Sequence, residues 1–405
     1  MPHALNLWLF AFSALVSIAL AYLAAGTLVR RGFPLPEPSS RLGRIDGLRG
    51  LLAMSVVIHH FFLWMQIQYF AAPWEAPSIA LLNQLGAGAV GLFFMTTGFV
   101  FYPRVLNGFR DTSWITVLVS RAFRILPLVI VSTVAAAVIS FLFLGGSHDI
   151  GDYGGQMLLW VATWGEPNLG GLADSGRINA YVLWSLKYEW AFYLFVLPLS
   201  AVAMDIARAL RFPSWTVPAG LLVATAGFRL VDQVEKHATF LPLFAVGMLA
   251  FEASRSPALR RILTARPVGI AATIGLVVGA LTTPLPYYAS LPLFSFFFVC
   301  VACGNRLFTT LGKPNWLVLG ECSFGIYLLH GIVLFAIFTA GQPLVPSISA
   351  DAFLVAMPLA SVIIAPLTAA CFVGIEKPMI ATGKRIAREL TQQRGLPPAE
   401  LEVAP

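Results

Sequence analysis

The sequence carries little charge for its length. Of its 405 residues, 11% are charged and 58% are hydrophobic, and the mean hydropathy is +0.80. Soluble domains carry about 25% charged residues, so less than half that density cannot cover a soluble surface of this size. The shortage excludes a soluble enzyme, a nucleic-acid-binding protein and a disordered chain. It predicts an all-α polytopic membrane protein whose first partner is the lipid bilayer.

Reactive and metal-binding motifs are also scarce. The four cysteines give no disulfide framework, and the lone C-x-x-C of Cys300 and Cys303 stands in an apolar run without further ligands at metal spacing. Packing explains this pair. The sequence contains no G-x-S-x-G elbow, no Walker loop and no H-x-x-x-x-D box. Serine-hydrolase and ATP-driven mechanisms therefore lose support, and neither a metal nor a permanently bound cofactor is predicted.

Apolar runs long enough to cross a bilayer, which takes about 20 residues, recur along the chain. The first run lacks a preceding basic segment and is followed by Arg30 and Arg31, so we interpret it as a retained helix rather than a cleaved signal peptide. A shorter run at 156–164 is expected to lie at the membrane interface or to re-enter. It belongs to a Gly- and Asp-rich connection, 146–180, that either shapes a binding site or is a disordered connector. Eleven spans are predicted, at about 5–29, 48–71, 85–103, 125–145, 181–204, 214–231, 238–254, 267–287, 289–308, 315–341 and 352–374.

The basic residues support this segmentation. With the first loop, 30–47, placed in the cytosol and the sides alternated, 22 of the 26 Lys and Arg residues fall inside. This bias follows the positive-inside rule. The N-terminus is then expected outside and the C-terminus in the cytosol, and most of the net charge of +7 is explained by topology.

Polar groups at membrane depth are costly and are candidates for function. Asp46 is predicted to be the N-cap of the helix that contains Arg49 and His60. His60 follows Arg49 by eleven residues, which at about 100° per residue puts both on one helical face, about 16 Å apart along the axis. Arg49 could hold an anionic donor whose reactive end reaches His60. A snorkelling arginine and a buried structural histidine are the alternative.

A second polar group, Trp184, Ser185 and Glu189, opens the helix predicted at 181–204 from the outside. Ser185 and Glu189 are one helical turn apart. Glu189 at the outer rim could bind a substrate, act as a base, or pair with Lys187 or Arg177.

Two further sets complete the candidates. Ser323, Tyr327 and His330 are spaced by four and three residues, so they form one polar stripe that is either a site or an interhelical hydrogen-bond network. Arg121 and Arg124 lie on the cytosolic side, where they could bind phosphate, contact lipid or only mark topology.

In this order the motifs resemble the membrane-bound acyltransferase-3 family, which O-acylates bacterial surface carbohydrates and some small molecules. The resemblance covers about 44–378, and seven short motifs in the right order make it specific. Thr97 takes the place of the usual serine and keeps a hydroxyl. The matching segments are the DGLRG of Asp46–Gly50, the R-x10-H of Arg49 and His60, GLFFMTTGF at 91–99, R-x-x-R-I-x-P at 121–127, WSL-x-x-E at 184–189, SF-x-x-YL-x-H at 323–330 and the E-K-P of Glu376–Pro378.

The resemblance implies a ten-helix acyltransferase domain at 44–378 in the bacterial inner membrane. Residues 1–43 add an N-terminal helix and a cytosolic linker, and 379–405 form a cytosolic tail. The chain ends too soon for the extracytoplasmic hydrolase-like domain of some relatives, so a single-component enzyme is expected. The implied co-substrate is acetyl-CoA or another acyl-CoA, and the implied acceptor is a polysaccharide, an oligosaccharide or a lipid-linked glycan.

The implied catalytic residues are His60, Arg49 and Glu189. His60 acts as general base or forms an acyl-histidine, and Glu189, near the outer face, orients the acceptor. Arg49, Arg121 and Arg124 would bind the CoA phosphates. Residues expected around them or at the acceptor are Asp46, Trp184, Ser185, Ser323, Tyr327 and His330.

A multi-pass transporter of a lipid-linked glycan or a small solute is the alternative function. It explains the apolar helices and the intramembrane charges as a proton relay. It does not explain the ordered motifs, and the sequence shows no internal repeat of the kind transporters have.

Overall fold

The computed structural model describes residues 5–35, 43–143, 150–231, 240–282, 290–344 and 347–393. Within these ranges the chain is helical and has no β-strand. Two π-helical segments, Phe192–Val196 and Phe372–Glu376, connect helices without interrupting them. The helices are α1 (Leu7–Arg30), α2 (Gly43–Phe70), α3 (Ala80–Asn107), α4 (Trp114–Phe143), α5 (Ile150–Val161), α6 (Trp184–Ala191), α7 (Leu197–Ala209), α8 (Thr216–Val231), α9 (Leu241–Arg255), α10 (Pro257–Leu263), α11 (Arg266–Thr282), α12 (Leu291–Ala302), α13 (Pro314–Glu321), α14 (Ser323–Gly341), α15 (Ala350–Phe353), α16 (Ala356–Cys371) and α17 (Lys377–Gln393).

Seven helices in the described part are long and apolar enough to cross a membrane, or nine if each of two bent pairs is one span. The bent pairs are α10 with α11, at 70°, and α12 with the 3-10 turn Arg306–Gly312, at 71°. The multi-pass all-α architecture predicted from the sequence is confirmed. The count of eleven is not.

The difference in count comes from the spans that are short or bent in the described part. Two predicted spans, 214–231 and 238–254, correspond to α8 and α9, which have 16 and 15 helical residues in the described part and lie on either side of residues 232–239, outside the described ranges. At 1.5 Å per residue such helices are about 22–24 Å long, less than the roughly 30 Å of a hydrocarbon core. Two other predicted spans belong to the bent pairs. The span predicted at 315–341 is divided between α13 and α14 at Cys322.

Close backbone contacts hold α2 in place against α13. A Cβ atom on Gly47 would collide with the Leu311 carbonyl, and one on Gly320 would collide with the Asp46 carbonyl. Gly50 likewise faces the backbone of α13. Small residues let helices approach until their backbones touch, so the two glycines of the DGLRG motif fix the start of α2 and with it the position of Arg49.

The segment between α5 and α6 folds into the bundle. Gly331 of α14 touches the backbone of Asn179, and Ser140 of α4 donates a 2.7 Å hydrogen bond to the Leu169 carbonyl. This part of the predicted Gly-rich connection is therefore ordered by packing against α4 and α14. The short run predicted at 156–164 begins in the second half of α5 and continues beyond its end, and α5 packs on α4.

The described part of the predicted tail is the helix α17. Its Thr391 shares a 2.8 Å hydroxyl contact with Thr116 of α4. The predicted solvated end, from Gln392, lies almost wholly outside the described residues.

Candidate active site

A cavity of about 120 Å³ opens between α2, α3, α4, α6 and α14. Its walls are aromatic and aliphatic, with polar groups from every helix. The polar lining residues are Arg49, Thr96, Thr97, Arg121, Arg124, Ser185, Glu189, Tyr193, Ser323 and Tyr327.

Three arginines give the cavity its charge. Arg121 and Arg124 are one turn apart on α4, and Arg49 reaches the same space from α2. The Arg121 guanidinium stacks at 4.9 Å over the ring of Phe101, on which Arg104 also stacks. Such stacking holds a planar guanidinium in place while leaving its edge free for an anion.

Glu189 is the acidic side chain among the residues that line this cavity. Thr97 Oγ1 lies 3.5 Å from its Oε1, at the limit of a hydrogen bond. The structure places Glu189 in the same cavity as the three arginines. Its expected role, to orient an acceptor near the outer face, stays a prediction. Because the segment before α6 folds against α14, the start of α6 is buried and Glu189 faces the arginines. It pairs with neither expected partner, and Arg177 is bound instead to Asp174, at 2.6 Å.

Carboxyl groups surround the base of Arg49. Oδ1 of Asp46 lies 3.3 Å from Nη1 of Arg49 and forms an ion pair with it. Asp46 is not the N-cap as predicted, because α2 begins at Gly43 and places it in the first turn. Glu321 and Glu376 are also buried and lie close enough to interact with these charges. The sequence analysis did not consider Glu321, although an acid inside an apolar run was a usable signal.

His60 and His330 form a direct contact between α2 and α14. Nδ1 of His330 lies 2.9 Å from the Ile326 carbonyl, which can only accept, so this nitrogen carries the proton. Nε2 of His330 is then an acceptor, 3.0 Å from Nδ1 of His60. Nδ1 of His60 also lies 3.1 Å from the Val56 carbonyl. The network therefore assigns the proton of neutral His60 to Nδ1 and leaves a lone pair on Nε2.

His60 is half-buried and does not line the arginine cavity. Its ring stacks on Trp74 at a centroid distance of 6.0 Å. Tyr327 connects the two regions, since it lines the cavity and its ring centroid lies 6.4 Å from that of His330. His59, by contrast, hydrogen-bonds to the Leu82 carbonyl at 2.7 Å and packs on Gly86, which indicates a structural role between α2 and α3.

The predicted stripe on α14 is confirmed as a polar face. Ser323 and Tyr327 line the cavity, and His330 continues the stripe to His60. The Tyr327 hydroxyl lies 2.8 Å from Ser185 Oγ and 3.1 Å from the Val182 carbonyl. Trp184 does not join this site, because its ring packs against Phe240 at 5.3 Å.

Glu166 is a buried carboxyl that the sequence analysis missed. Its Oε1 accepts a 3.0 Å hydrogen bond from the backbone N–H of Leu183, and its buried Oε2 has no hydrogen-bond partner among the described residues. Burial raises the pKa of the Glu166 carboxyl to about 8, and the Leu183 bond opposes this rise only in part. A lone acid in a Gly-rich loop carries no periodic signal that could have revealed it.

The fold and the cavity together define a multi-pass helical membrane protein with a cationic internal site. Residues 42–376 match the acyltransferase domain of the acyltransferase-3 family, so the chain belongs to that family. It is also 32% identical over 167 residues to the protein described as acyltransferase MdmB from Streptomyces mycarofaciens, a match that spans 40% of this chain and 39% of that relative. No solved structure matches the chain.

Proposed function

We propose that this chain is an integral-membrane O-acyltransferase of the bacterial inner membrane. It transfers an acetyl group from cytosolic acetyl-CoA, or another acyl group from its CoA ester, to a hydroxyl of a surface or exported carbohydrate. The observation that carries the proposal is the His60–His330 contact, which leaves His60 Nε2 with a free lone pair on the helix that also carries Arg49.

The donor is held by charge in this proposal. CoA carries phosphate groups, and Arg49, Arg121 and Arg124 supply guanidinium groups in one cavity. In this proposal the diphosphate or the pantetheine arm of CoA lies among these guanidinium groups. The arm then carries the thioester along the face shared by α2 and α14 toward His60, about 16 Å from Arg49 at 1.5 Å per residue.

The chemical step needs one base. His60 Nε2 accepts the proton of the acceptor hydroxyl while the hydroxyl oxygen attacks the thioester carbonyl. The C–S bond breaks, and the CoA thiolate leaves and takes the proton from His60. General-base assistance of this kind contributes about 10²–10⁴-fold. A route through an acyl-histidine on the same nitrogen uses the same geometry. His330 holds the tautomer that both routes require.

In this mechanism Glu189 acts on the donor-binding arginines and not, as its sequence position suggested, on the acceptor. Facing Arg121 and next to Thr97, its carboxylate offsets part of the positive charge and orients the guanidinium groups before the donor binds. An incoming phosphate competes with it for the arginines. We therefore place Glu189 on the donor side.

The test is acetyl transfer by the full chain with and without His60. Membranes that contain the wild type and H60A at equal levels are given labelled acetyl-CoA, and the label in envelope glycan is measured. We expect H60A to lose about 10²–10⁴-fold of the rate, whereas H59A, on the adjacent position but bonded to Leu82, keeps most of it. Undiminished transfer by H60A would contradict the role of His60, and no transfer by the wild type would contradict the proposed function.

A further inference from the structure

The segment between α5 and α6 has an unusual backbone where it approaches the histidine pair. Four non-glycine residues in it, Thr163, Asp174, Ala180 and Tyr181, have φ values of 58°, 55°, 60° and 53°. This left-handed region is strained for L-residues, most of all for a bulky aromatic. Strain of this kind persists only where the surroundings over-determine it.

Two glycines hold the strained segment in place. A Cβ atom on Gly331 of α14 would collide with the backbone at Asn179, and one on Gly176 would collide with the Tyr181 ring. Gly331 follows His330 directly in the sequence. The segment is therefore pressed against the helix of the histidine pair at the position of that pair.

The strain places Tyr181 against Trp74. Their ring centroids lie 5.8 Å apart at 62°, and Trp74 stacks in turn on His60. His60, Trp74 and Tyr181 are all half-buried, so each keeps a surface that a ligand can reach. Trp74 thus lies against a face of the His60 ring, and Tyr181 adds a second amphipathic aromatic ring beside Trp74.

Glu166 anchors the same segment. Its Oε1 holds Leu183 N, two residues after Tyr181, while its Oε2 has no partner in the described part of the chain. Glu166 also lies close enough to Tyr181 and to Tyr327 to interact electrostatically with both side chains. Asp174 and Arg177, the other charged groups next to Tyr181, are paired with each other. Glu166 is thus the acid beside Tyr181 that keeps an oxygen unused.

We propose that Trp74, Tyr181 and Glu166 form the acceptor subsite, in which a sugar ring packs on the two aromatic rings and a sugar hydroxyl hydrogen-bonds to Glu166. A sugar fits because its C–H face is apolar and its rim is polar, which matches aromatic rings beside one buried carboxyl. This inference rests on the proposed function and adds where its carbohydrate binds. It puts the acceptor outside the arginine cavity, since Trp74, Tyr181 and Glu166 are not among the residues that line it.

The pKa of Glu166, about 8, makes its action specific. Below this pH the carboxyl is neutral and its Oε2 can donate a hydrogen bond to a sugar oxygen. Above it the group is a carboxylate and can only accept. Glutamine keeps a carbonyl oxygen for Leu183 and a donor for the sugar at every pH, so E166Q mimics the neutral form.

The experiment uses the full chain, purified in detergent, with labelled acetyl-CoA. The acceptor is envelope polysaccharide of the native host, stripped of O-acetyl groups by mild base and titrated at pH 7 and pH 9. We expect E166A to raise the half-saturating polysaccharide concentration roughly tenfold with an unchanged KM for acetyl-CoA. E166Q should behave as the wild type at pH 7. At pH 9 the wild type should need more polysaccharide than E166Q.

A matched control variant, Q156A, distinguishes binding of the sugar by Glu166 from the support that Glu166 gives to the loop backbone. Gln156 also accepts a backbone hydrogen bond in this region, from Gly170 at 2.7 Å, but lies on α5, away from Tyr181. Q156A should leave the half-saturating polysaccharide concentration unchanged. An E166A protein with wild-type polysaccharide saturation, or E166Q and wild type responding alike to pH, would overturn the subsite. A wild type that transfers no acetyl group to the polysaccharide would overturn the proposed function itself.

Discussion

The Arg49 end and the His60 end of helix α2 differ in charge and in surroundings. Around Arg49 the cavity gathers three arginines, with Glu189 facing them and the Asp46 carboxylate 3.3 Å from Arg49. Around His60 the contacting side chains are imidazole and indole rings, from His59, His330 and Trp74. Charge is concentrated at one end of the helix, and neutral hydrogen-bonding rings at the other.

This division has a chemical consequence. A carboxylate within a few ångströms of an imidazole favours the imidazolium form, which cannot accept a proton. The ion pairs of the cavity are separated from His60 by about three helical turns, roughly 16 Å, and Tyr327 stands between the two regions. In the proposed mechanism, a phosphate-bearing donor is attracted to one region while the lone pair that accepts the proton is preserved in the other.

Among variants that keep His60, the largest expected effect comes from removing a cation of the cavity. R121Q loses charge-assisted hydrogen bonds of about 1.5–3 kcal/mol, so the KM for acetyl-CoA should rise roughly 10–150-fold. R104Q is the matched control, because Arg104 stacks on the same Phe101 ring at the same 4.9 Å distance but does not line the cavity. If R121Q and R104Q raised the KM for acetyl-CoA equally, the effect would come from the loss of stacking on Phe101 and not from the loss of a cation in the cavity.

A somewhat smaller effect is expected from a substitution beside the His60 end of α2. H330A removes one of the two acceptors that face His60 Nδ1, the other being the Val56 carbonyl, so kcat should fall by a part of the general-base factor, roughly 10–100-fold, with both KM values unchanged. Groups that act as a unit are not additive. The double variant H60A/H330A should therefore be no slower than H60A, and a further drop would show that His330 acts independently.

Much of this comparison could be predicted from the sequence, because helical periodicity is local. The spacing of Arg49 and His60, and of Ser323, Tyr327 and His330, predicts which side chains share a face of α2 or α14. The apolar runs likewise predict a helical membrane protein. These predictions require only that each helix be continuous across the residues concerned, and both helices are.

The positions that differ from the sequence-based expectation are those set by tertiary packing. Glu189 was placed at an outer rim because the chain enters α6 from a loop, but the loop itself is buried against α14. Asp46 was expected to cap α2, but the helix starts three residues earlier. Glu166 meets Leu183 across 17 residues of irregular chain. No periodic pattern extends over such a distance, so the proposed acceptor subsite could not be predicted.

The smallest effect should come from Thr97, where the sequence departs from the serine usual in the family. Its hydroxyl donates at 3.2 Å to the Phe93 carbonyl of its own helix and approaches Glu189 only at 3.5 Å. A contact this long contributes little, so T97S, which keeps the hydroxyl, should change the KM for acetyl-CoA less than about twofold. T97V removes the hydroxyl and should change that KM by less than about tenfold, within the roughly 1 kcal/mol of an ordinary hydrogen bond. A T97V loss as large as that of R121Q would mean that Thr97 orients Glu189 toward the donor, and that the charged region depends on its neutral hydroxyls as much as on its arginines.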